Sequence, residues 1–228
     1  MKTRLSKRLN TLFDAIPVGY DSVWDLCCDH GRLGMAILET GKAPEVVFVD
    51  QIPEITQEVE AQLQRYGAEG YRVLCQDACT LELPSQGRHL LVLAGVGDEV
   101  SLNIMAGLLA HGASHSPIDW LVSPANNLFQ VREQLQQWPL SVLEEGFVMD
   151  KQRGYEWLLL QHSEAPQHPV SNPAPFWDAS QPEHRQHLHK LLRHARKQCR
   201  NPQQRDQAER EIQVLEPLLI WPGQLFKQ

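Results

Sequence analysis

The feature that most constrains this chain is VWDLCCDHGRLG, Val23 to Gly34, followed by VVFVD, which begins twenty-one residues past Asp25 and closes on a second carboxylate, Asp50. An apolar strand, a tight turn at Asp29-His30-Gly31, a helix and a strand ending in acid make the layout of a nucleoside-binding βαβ unit. The plainer reading of the same residues is that Asp25 ends a strand, Asp29 caps a helix and Gly31 relieves a turn.

Charge selects the expected ligand. A dinucleotide fingerprint needs glycine where the backbone meets a pyrophosphate, and those positions read Cys27 and Asp29 here. Two carboxylates, Asp25 and Asp29, beside that turn would repel a diphosphate. S-adenosylmethionine brings an ammonium and a sulfonium, which carboxylates attract, while its own carboxylate can take free amides at the helix start. The expected cofactor is therefore S-adenosyl-L-methionine.

The remaining chain repeats one pattern. A helical stretch with Ile55, Val59 and Leu63 on one face stops at Gly67. Short apolar runs follow at Tyr71 to Gln76, His89 to Ala94 and Trp120 to Val122, ending at Asp77-Ala78, Gly95-Val96-Gly97-Asp98 and Ser123-Pro124-Ala125-Asn126-Asn127. Helical spacing marks Leu102, Met105 and Leu109, and again Val131, Leu135 and Trp138. Apolar runs that stop abruptly at polar or glycine residues predict a parallel sheet buried on both faces, with ligands outside its carboxyl ends. Two last runs, Leu140 to Met149 and Tyr155 to Leu160, flank Asp150 to Gly154 as an antiparallel hairpin.

Composition adds little. The 228 residues, 42% hydrophobic, suit one good-sized domain with an appendage. No apolar run approaches the roughly 20 residues that span a bilayer, and MKTRLSKRLN has no apolar signal core, so a cytoplasmic protein without membrane partners is expected. Five cysteines, two of them adjacent at Cys27-Cys28, argue against a disulfide framework. Cys75 and Cys79 lack a second pair for zinc and read as small packing residues.

Organisation changes near residue 163. Five prolines between Ser163 and Pro182 read as a linker over 163–182, separating a domain over 1–162 from a helical hairpin over 183–228. Leu188, Leu191, Leu192, Ala195 and Cys199 form one apolar stripe, Asn201-Pro202 a break, and Ala208, Ile212, Leu215 and Leu219 a second stripe. That pattern is coiled-coil-like. Residues 1–182 carry 12 Lys and Arg against 23 Asp and Glu, a net of −11, whereas 183–228 carry 9 against 5, a net of +4. A basic arm on an acidic body suits a polyanionic substrate; the bland alternative is a solvated helix face. His184, His187, His189 and His194 lie along the same helix and would add charge in mild acid. The cations around them oppose metal binding, so no metal is expected.

LSKRL at Leu5 to Leu9, CDHG at Cys28 to Gly31 with Leu33 following, AGVG at Ala94 to Gly97, PANN at Pro124 to Asn127 and the closing EEGFVMDKQRGYEWLLL together resemble the bacterial tRNA (adenine(22)-N1)-methyltransferase family. The resemblance runs in order over roughly residues 4 to 162. It implies an α/β fold, a Rossmann-like class I methyltransferase sheet that is parallel with a C-terminal antiparallel hairpin, plus a C-terminal α-helical hairpin. It implies a tRNA substrate and a transfer to adenine N1.

By that resemblance Asp25, Cys27, Asp29, His30, Gly31 and Leu33 surround the methionine end of the cofactor, Asp50 and Gln51 meet the ribose, and Asp77-Ala78 holds the adenine. Gly95 and Val96 line the floor between cofactor and target base. Asp29, Asp98, Asn126 and Asn127 are the candidate catalytic residues. Phe129 is a candidate stacking platform, with a core position as its bland alternative. The expected RNA contacts are Arg4, Lys7, Arg8, Arg32, Arg185, Lys190, Arg193, Arg196, Lys197 and Arg200.

The chain departs from the family at Cys27, where the family has glycine and where negative φ is expected, at Asp98 in place of a second glycine, and at Ser123 before the proline. Two alternatives stay open: a divergent methyltransferase-fold protein with another target or only binding activity, and a NAD-type oxidoreductase. A monomer or a weak dimer fits equally.

Overall fold

The structure is a computed structural model that describes residues 3–110, 118–126 and 128–219. Seven strands form one sheet: β1 (Ser22–Leu26), β2 (Val46–Asp50), β3 (Tyr71–Cys75), β4 (His89–Ala94), β5 (Ile118–Ser123), β6 (Leu140–Asp150) and β7 (Arg153–His162). Their spatial order is β3-β2-β1-β4-β5-β7-β6. The first five are parallel, and β7 and β6 close the edge antiparallel, as the sequence predicts.

Helices α1 (Lys7–Ala15), α2 (Arg32–Thr40), α3 (Pro53–Arg65), α4 (Asp98–Ala110) and α5 (Phe129–Leu135) cover the sheet. Side chains alternate across a strand, so each strand feeds two cores. Val23, Phe48, Leu90 and Val92 meet Leu12 of α1, Met35 and Ile37 of α2 and Val59 of α3. Trp24, Val49, Leu91 and Trp120 meet Met105 of α4 and Val131 of α5 on the opposite face. This double burial explains why the strands read as continuous apolar runs. Phe129 is 3% exposed and belongs to the packed interior of α5, so the stacking role does not hold and the core reading does.

The helical reading missed α1. Ser6 caps it, its side chain accepting the Leu9 N–H at 3.3 Å. The helix lies against β6 and β7, so the N-terminal LSKRL packs on the antiparallel edge of the sheet.

The proline-rich segment has no helix or strand, as its prolines require, yet it is packed rather than slack. Val170 and Ala174 are buried, the Val142 N–H donates to the His168 carbonyl at 2.7 Å, and the Asn172 amide donates to the Phe129 carbonyl at 3.2 Å. Arg132 of α5, 1% exposed, pairs with Glu145 at 2.7 Å and Glu156 at 3.5 Å and also donates to the Ser171 carbonyl. A charge that deep persists only when paired in this way. Residues 163–181 are a strap that apolar contacts and one buried arginine hold to the sheet.

After the strap come α6 (Pro182–Gln198) and α7 (Arg205–Leu215), which fold back on each other through Leu188, Leu191, Leu192 and Leu215. The pair docks at the β6–β7 turn. A Cβ built on Gly154 would fall 2.3 Å from His187 Nδ1 and 2.5 Å from Phe147 Cε2, so the missing side chain is what lets α6 approach. Trp177 of the strap stacks on His187 with centroids 5.7 Å apart, and Phe147 lies 5.0 Å from the same ring. Burial here pushes His187 down to about 4, and burial also lowers His184. His187 therefore stays neutral in mild acid, contrary to the expectation from the sequence.

The junction of β1 with α2 is packed as closely. A Cβ on Gly34 would lie 2.4 Å from Phe48 Cε1 and 3.0 Å from Asp25 Oδ2. Gly34→Ala is therefore expected to destabilise the protein by about 1–3 kcal/mol, the scale of overpacking a filled interior. Urea unfolding followed by tryptophan fluorescence measures this; an unchanged midpoint would contradict the packing described.

Candidate active site

The turn after β1 is built from backbone that side chains rarely adopt. Cys27 has φ +52°, Asp29 +49° and Gly31 +59°. Cys27 therefore does not keep the negative φ expected of it, and its Cβ sits where a glycine would be unstrained, at a cost of roughly 1–2 kcal/mol. The reason lies just beyond: the chain must reverse within four residues to start α2 directly above the end of β1. Gly31 is the N-cap of α2, and no side chain caps that helix. Asp29 is thus not the cap that the plainer reading made it; it is exposed, and its N–H donates to Asp50 Oδ2 at 3.3 Å.

Behind the turn Asp25 is 5% exposed, with Oδ2 accepting the Gly34 N–H at 3.0 Å. Burial pushes its carboxyl up to about 7, the Gly34 N–H opposing and the charges of Asp29 and Asp50 adding to the rise. Asp50 is also buried, held by the N–H groups of Asp29 and, at 3.1 Å, Ile52. These carboxylates face an uncapped helix start, where backbone N–H groups carry partial positive charge. Anion and cation binders thus stand side by side.

They open into a cleft of about 690 Å³ whose lining includes Asp25, Cys27, Asp29, His30, Leu33, Gly95 and Val96. Gly31 is buried and does not line the cleft, and Asp50, also outside the lining, is tied to it through the Asp29 N–H. Gln51 and Asp77 are exposed on the neighbouring turns after β2 and β3. Asp77 Oδ1 accepts the Cys79 N–H at 2.9 Å, which caps a single 3-10 turn, and Ala78 is buried in the core.

Asp98 and Asn126 line a second cleft, of about 580 Å³, between the sheet and the helical hairpin. Its far side is Lys190, Arg193, His194 and Lys197 of α6, with Arg153 and Gly154 of the β6–β7 turn completing it. The two clefts share a wall: Ala125, in the second, donates its N–H to the carbonyl of Val96, in the first, at 2.7 Å. Asn127 lies outside the described residues.

The expected RNA contacts separate into groups. Lys190, Arg193 and Lys197 face the second cleft, while Arg196 and Arg200 line a groove of about 420 Å³ on α6 together with Arg193 and Lys197. Arg196 also pairs with Glu216 at 2.6 Å, and Lys7 reaches Glu183 at the start of α6 at 3.9 Å. Arg4 and Arg185 are exposed, and Arg32 is exposed at the edge of the first cleft. Arg8 departs from the expectation. It is half-buried in the first cleft and donates to the Ser123 carbonyl at 2.6 Å. Its inward course follows from α1, which the sequence reading did not find. Sequence reasoning likewise missed Tyr155, Arg153 and Asp150 at these clefts; the signal for all three was the position of the antiparallel turn beside the parallel strand ends.

Among the described residues no helix is long and apolar enough to cross a membrane, and no group of three or more His, Cys, Asp and Glu is placed to hold a metal ion.

A family profile described as a methyltransferase domain matches residues 5–158. The chain belongs to the methyltransferase domain family. The match spans the whole lining of the first cleft, which sets aside the oxidoreductase alternative, and stops short of the helical hairpin. Solved structures share the fold. The Bacillus subtilis m1A22 tRNA methyltransferase TrmK has a TM-score of 0.76 at 16% identity, over 96% of this chain and 100% of that one. A Streptococcus pneumoniae protein in complex with S-adenosyl-L-methionine has a TM-score of 0.74 at 20% identity, over 95% and 100%. TrmK from M. capricolum, in complex with S-adenosyl-homocysteine, has a TM-score of 0.72 at 12% identity, over 94% and 97%. No curated protein sequence matches the chain.

The methyltransferase domain carries its own pH signature. With its folded value raised to about 7 from 3.8, Asp25 contributes stability that is present below about pH 4 and is lost as pH rises through 7. Asp25→Asn keeps an acceptor for Gly34 and removes this loss. The stability of the variant relative to the parent should rise with pH by an amount on the order of 3–4 kcal/mol between pH 4 and 8. Urea titrations across that range test it, and parallel pH curves for the two proteins would refute it.

Proposed function

We propose that the protein transfers a methyl group from S-adenosyl-L-methionine to N1 of an adenine in tRNA. One observation carries this reading: the acid-lined, uncapped helix start of a methyltransferase domain opens across a shared wall into a second cleft whose far side is a basic ridge. A cationic small molecule suits the first cleft and a polyanion the second. The fold-sharing TrmK proteins are described as m1A22 tRNA methyltransferases, which agrees with both halves.

The cofactor fits the residues present. Asp25 and Asp29 would meet its ammonium and sulfonium, the leading amides of α2 would offer donors, Asp50 and Gln51 would serve the ribose, and Asp77-Ala78 would border the adenine. When bound, it supplies an electrophilic methyl. The adenine N1 lone pair is already nucleophilic, so these residues need only align it, and positioning provides most of the rate. Gly95 and Val96 keep the shared wall thin. Asp98 and Asn126, with Asn127 next in sequence, are set to hold the ring edge, and Asp98 or Asp29 to balance the charge of the methylated ring or accept a proton from its exocyclic amine. A base inside folded RNA must leave its stack to arrive there, at a few kcal/mol.

In this reading residues 1–162 perform the chemistry, the strap over 163–181 fixes the geometry and the helical hairpin that starts at Pro182 holds the RNA, in a cytoplasmic protein that is a monomer or a weak dimer. Incubation with unmodified tRNA and labelled methyl donor, followed by digestion to nucleosides and mass spectrometry, should yield N1-methyladenosine. Label at another position or no label would refute the proposal. Replacing Lys190, Arg193 and Lys197 by Ala should weaken tRNA binding about tenfold or more at 0.1 M salt and lower the slope of log K against log salt by up to about 3, with cofactor affinity intact. An unchanged slope would reduce the ridge to a solvated face.

A further inference from the structure

Arg8 is the basic residue whose placement the RNA reading leaves unexplained. It starts on α1, yet its side chain runs inward across the first cleft to the end of β5. Nη2 donates to the Ser123 carbonyl at 2.6 Å and lies 3.2 Å from the Ser123 hydroxyl. The guanidinium carbon sits 4.3 Å above the centre of the Tyr155 ring, a cation–π distance. Its backbone N–H donates to Asp150 Oδ2 at 3.1 Å. Gly95, with φ +99°, is what makes room, since a Cβ there would meet Arg8 Nη1 at 3.3 Å.

Ser123 and Tyr155 thus fix the guanidinium, Asp150 holds the backbone beside it, and its donors are not all used. Nε is buried and has no acceptor among the described residues. A desolvated N–H on a charged group that lacks an acceptor is expensive, and the cost is recovered when an anion arrives. The Asp150 carboxylate is taken by the Arg8 backbone N–H, not by its side chain. Burial pulls the Arg8 pKa down, the direction expected of a cation short of its counterion.

We infer that Arg8 is the seat for the carboxylate of the cofactor's amino-acid end, forming the cationic half of a zwitterion clamp whose anionic half is Asp25. The inference rests on the reading of the first cleft as an S-adenosylmethionine site. The amino-acid end of that molecule carries an ammonium and a carboxylate on one carbon, so a site that grips both needs opposite charges on one cleft. Asp25 and Arg8 line that cleft together. Arg32 is exposed on the same opening, where water screens it, whereas Arg8 is partly desolvated and held by Ser123 and Tyr155, which makes Arg8 the stronger partner.

The test compares two nucleosides that differ only in the clamped group. S-adenosylhomocysteine carries the amino-acid end; 5′-deoxy-5′-methylthioadenosine has the same adenosine and thioether without it. Both are titrated calorimetrically into the parent protein, Arg8→Met and Arg8→Lys, with tRNA affinity measured on the same samples. Arg8→Met should weaken S-adenosylhomocysteine roughly 10- to 100-fold, the range for a hydrogen-bonded charge, and leave methylthioadenosine within twofold. Arg8→Lys should recover part of the loss. Equal losses for both nucleosides, or unchanged S-adenosylhomocysteine binding, overturn the assignment; loss of tRNA affinity alone returns Arg8 to the RNA contacts. If Arg8→Met unfolds, the folded Arg8→Lys protein still shows whether the loss is confined to the ligand with the carboxylate. A parent protein that binds neither nucleoside sinks the cofactor reading itself, a result distinct from any change on mutation.

Discussion

The contact between Asp25 Oδ2 and the Gly34 N–H, at 3.0 Å, is the constraint on which the rest of the molecule depends. It joins the last turn of a buried strand to the first turn of the next helix, and no side chain at position 34 can come between them. Satisfying one helix amide with a buried carboxylate leaves the other leading amides facing outward. The tight reversal also forces three residues of 27–31 into left-handed backbone. Strain, a buried acid and an open helix end are therefore one feature, and the first cleft is its outer surface.

The second cleft depends on the first through the chain's own connections. Each parallel strand ends on the same side of the sheet, so the turns after β1, β4 and β5 converge, and the Ala125 to Val96 hydrogen bond binds two of them into a common partition. The antiparallel pair β6 and β7 then brings its turn to that side as well. Arg153 reaches the Ala125 carbonyl from there, and Tyr155 lies under Arg8. An acidic chamber and a basic one end up separated by little more than a strip of backbone, which a base edge or a methyl group is small enough to bridge.

The sheet was readable because its strands are buried on both faces and interrupted by polar turns, so VVFVD and HLLVLA carry their own boundaries. The acid cluster was readable because charge opposite in sign to a ligand cannot be disguised. What stayed hidden had no periodic signal. Helix α1 is only 9 residues long and mostly polar, so Arg8 looked like one more surface cation. The backbone sign at Cys27 depends on how α2 is set over β1, and composition does not encode that. The strap looked slack because prolines forbid regular structure without forbidding contact, and its anchor, Arg132, pairs with acids more than ten residues away in sequence.

Gly154 has a consequence beyond local fit. Ordinary two-part enzymes let an arm swing on its tether, and the reach of the arm is then an average over many poses. Here α6 meets the β-turn at a spot that admits a hydrogen atom and no carbon, with the rings of Phe147, Trp177 and His187 closing around it. The span from the cationic ridge to the partition is accordingly a fixed length, set by van der Waals radii. A molecule built this way keeps its two clefts at one spacing, as the jaws of a locked caliper are kept.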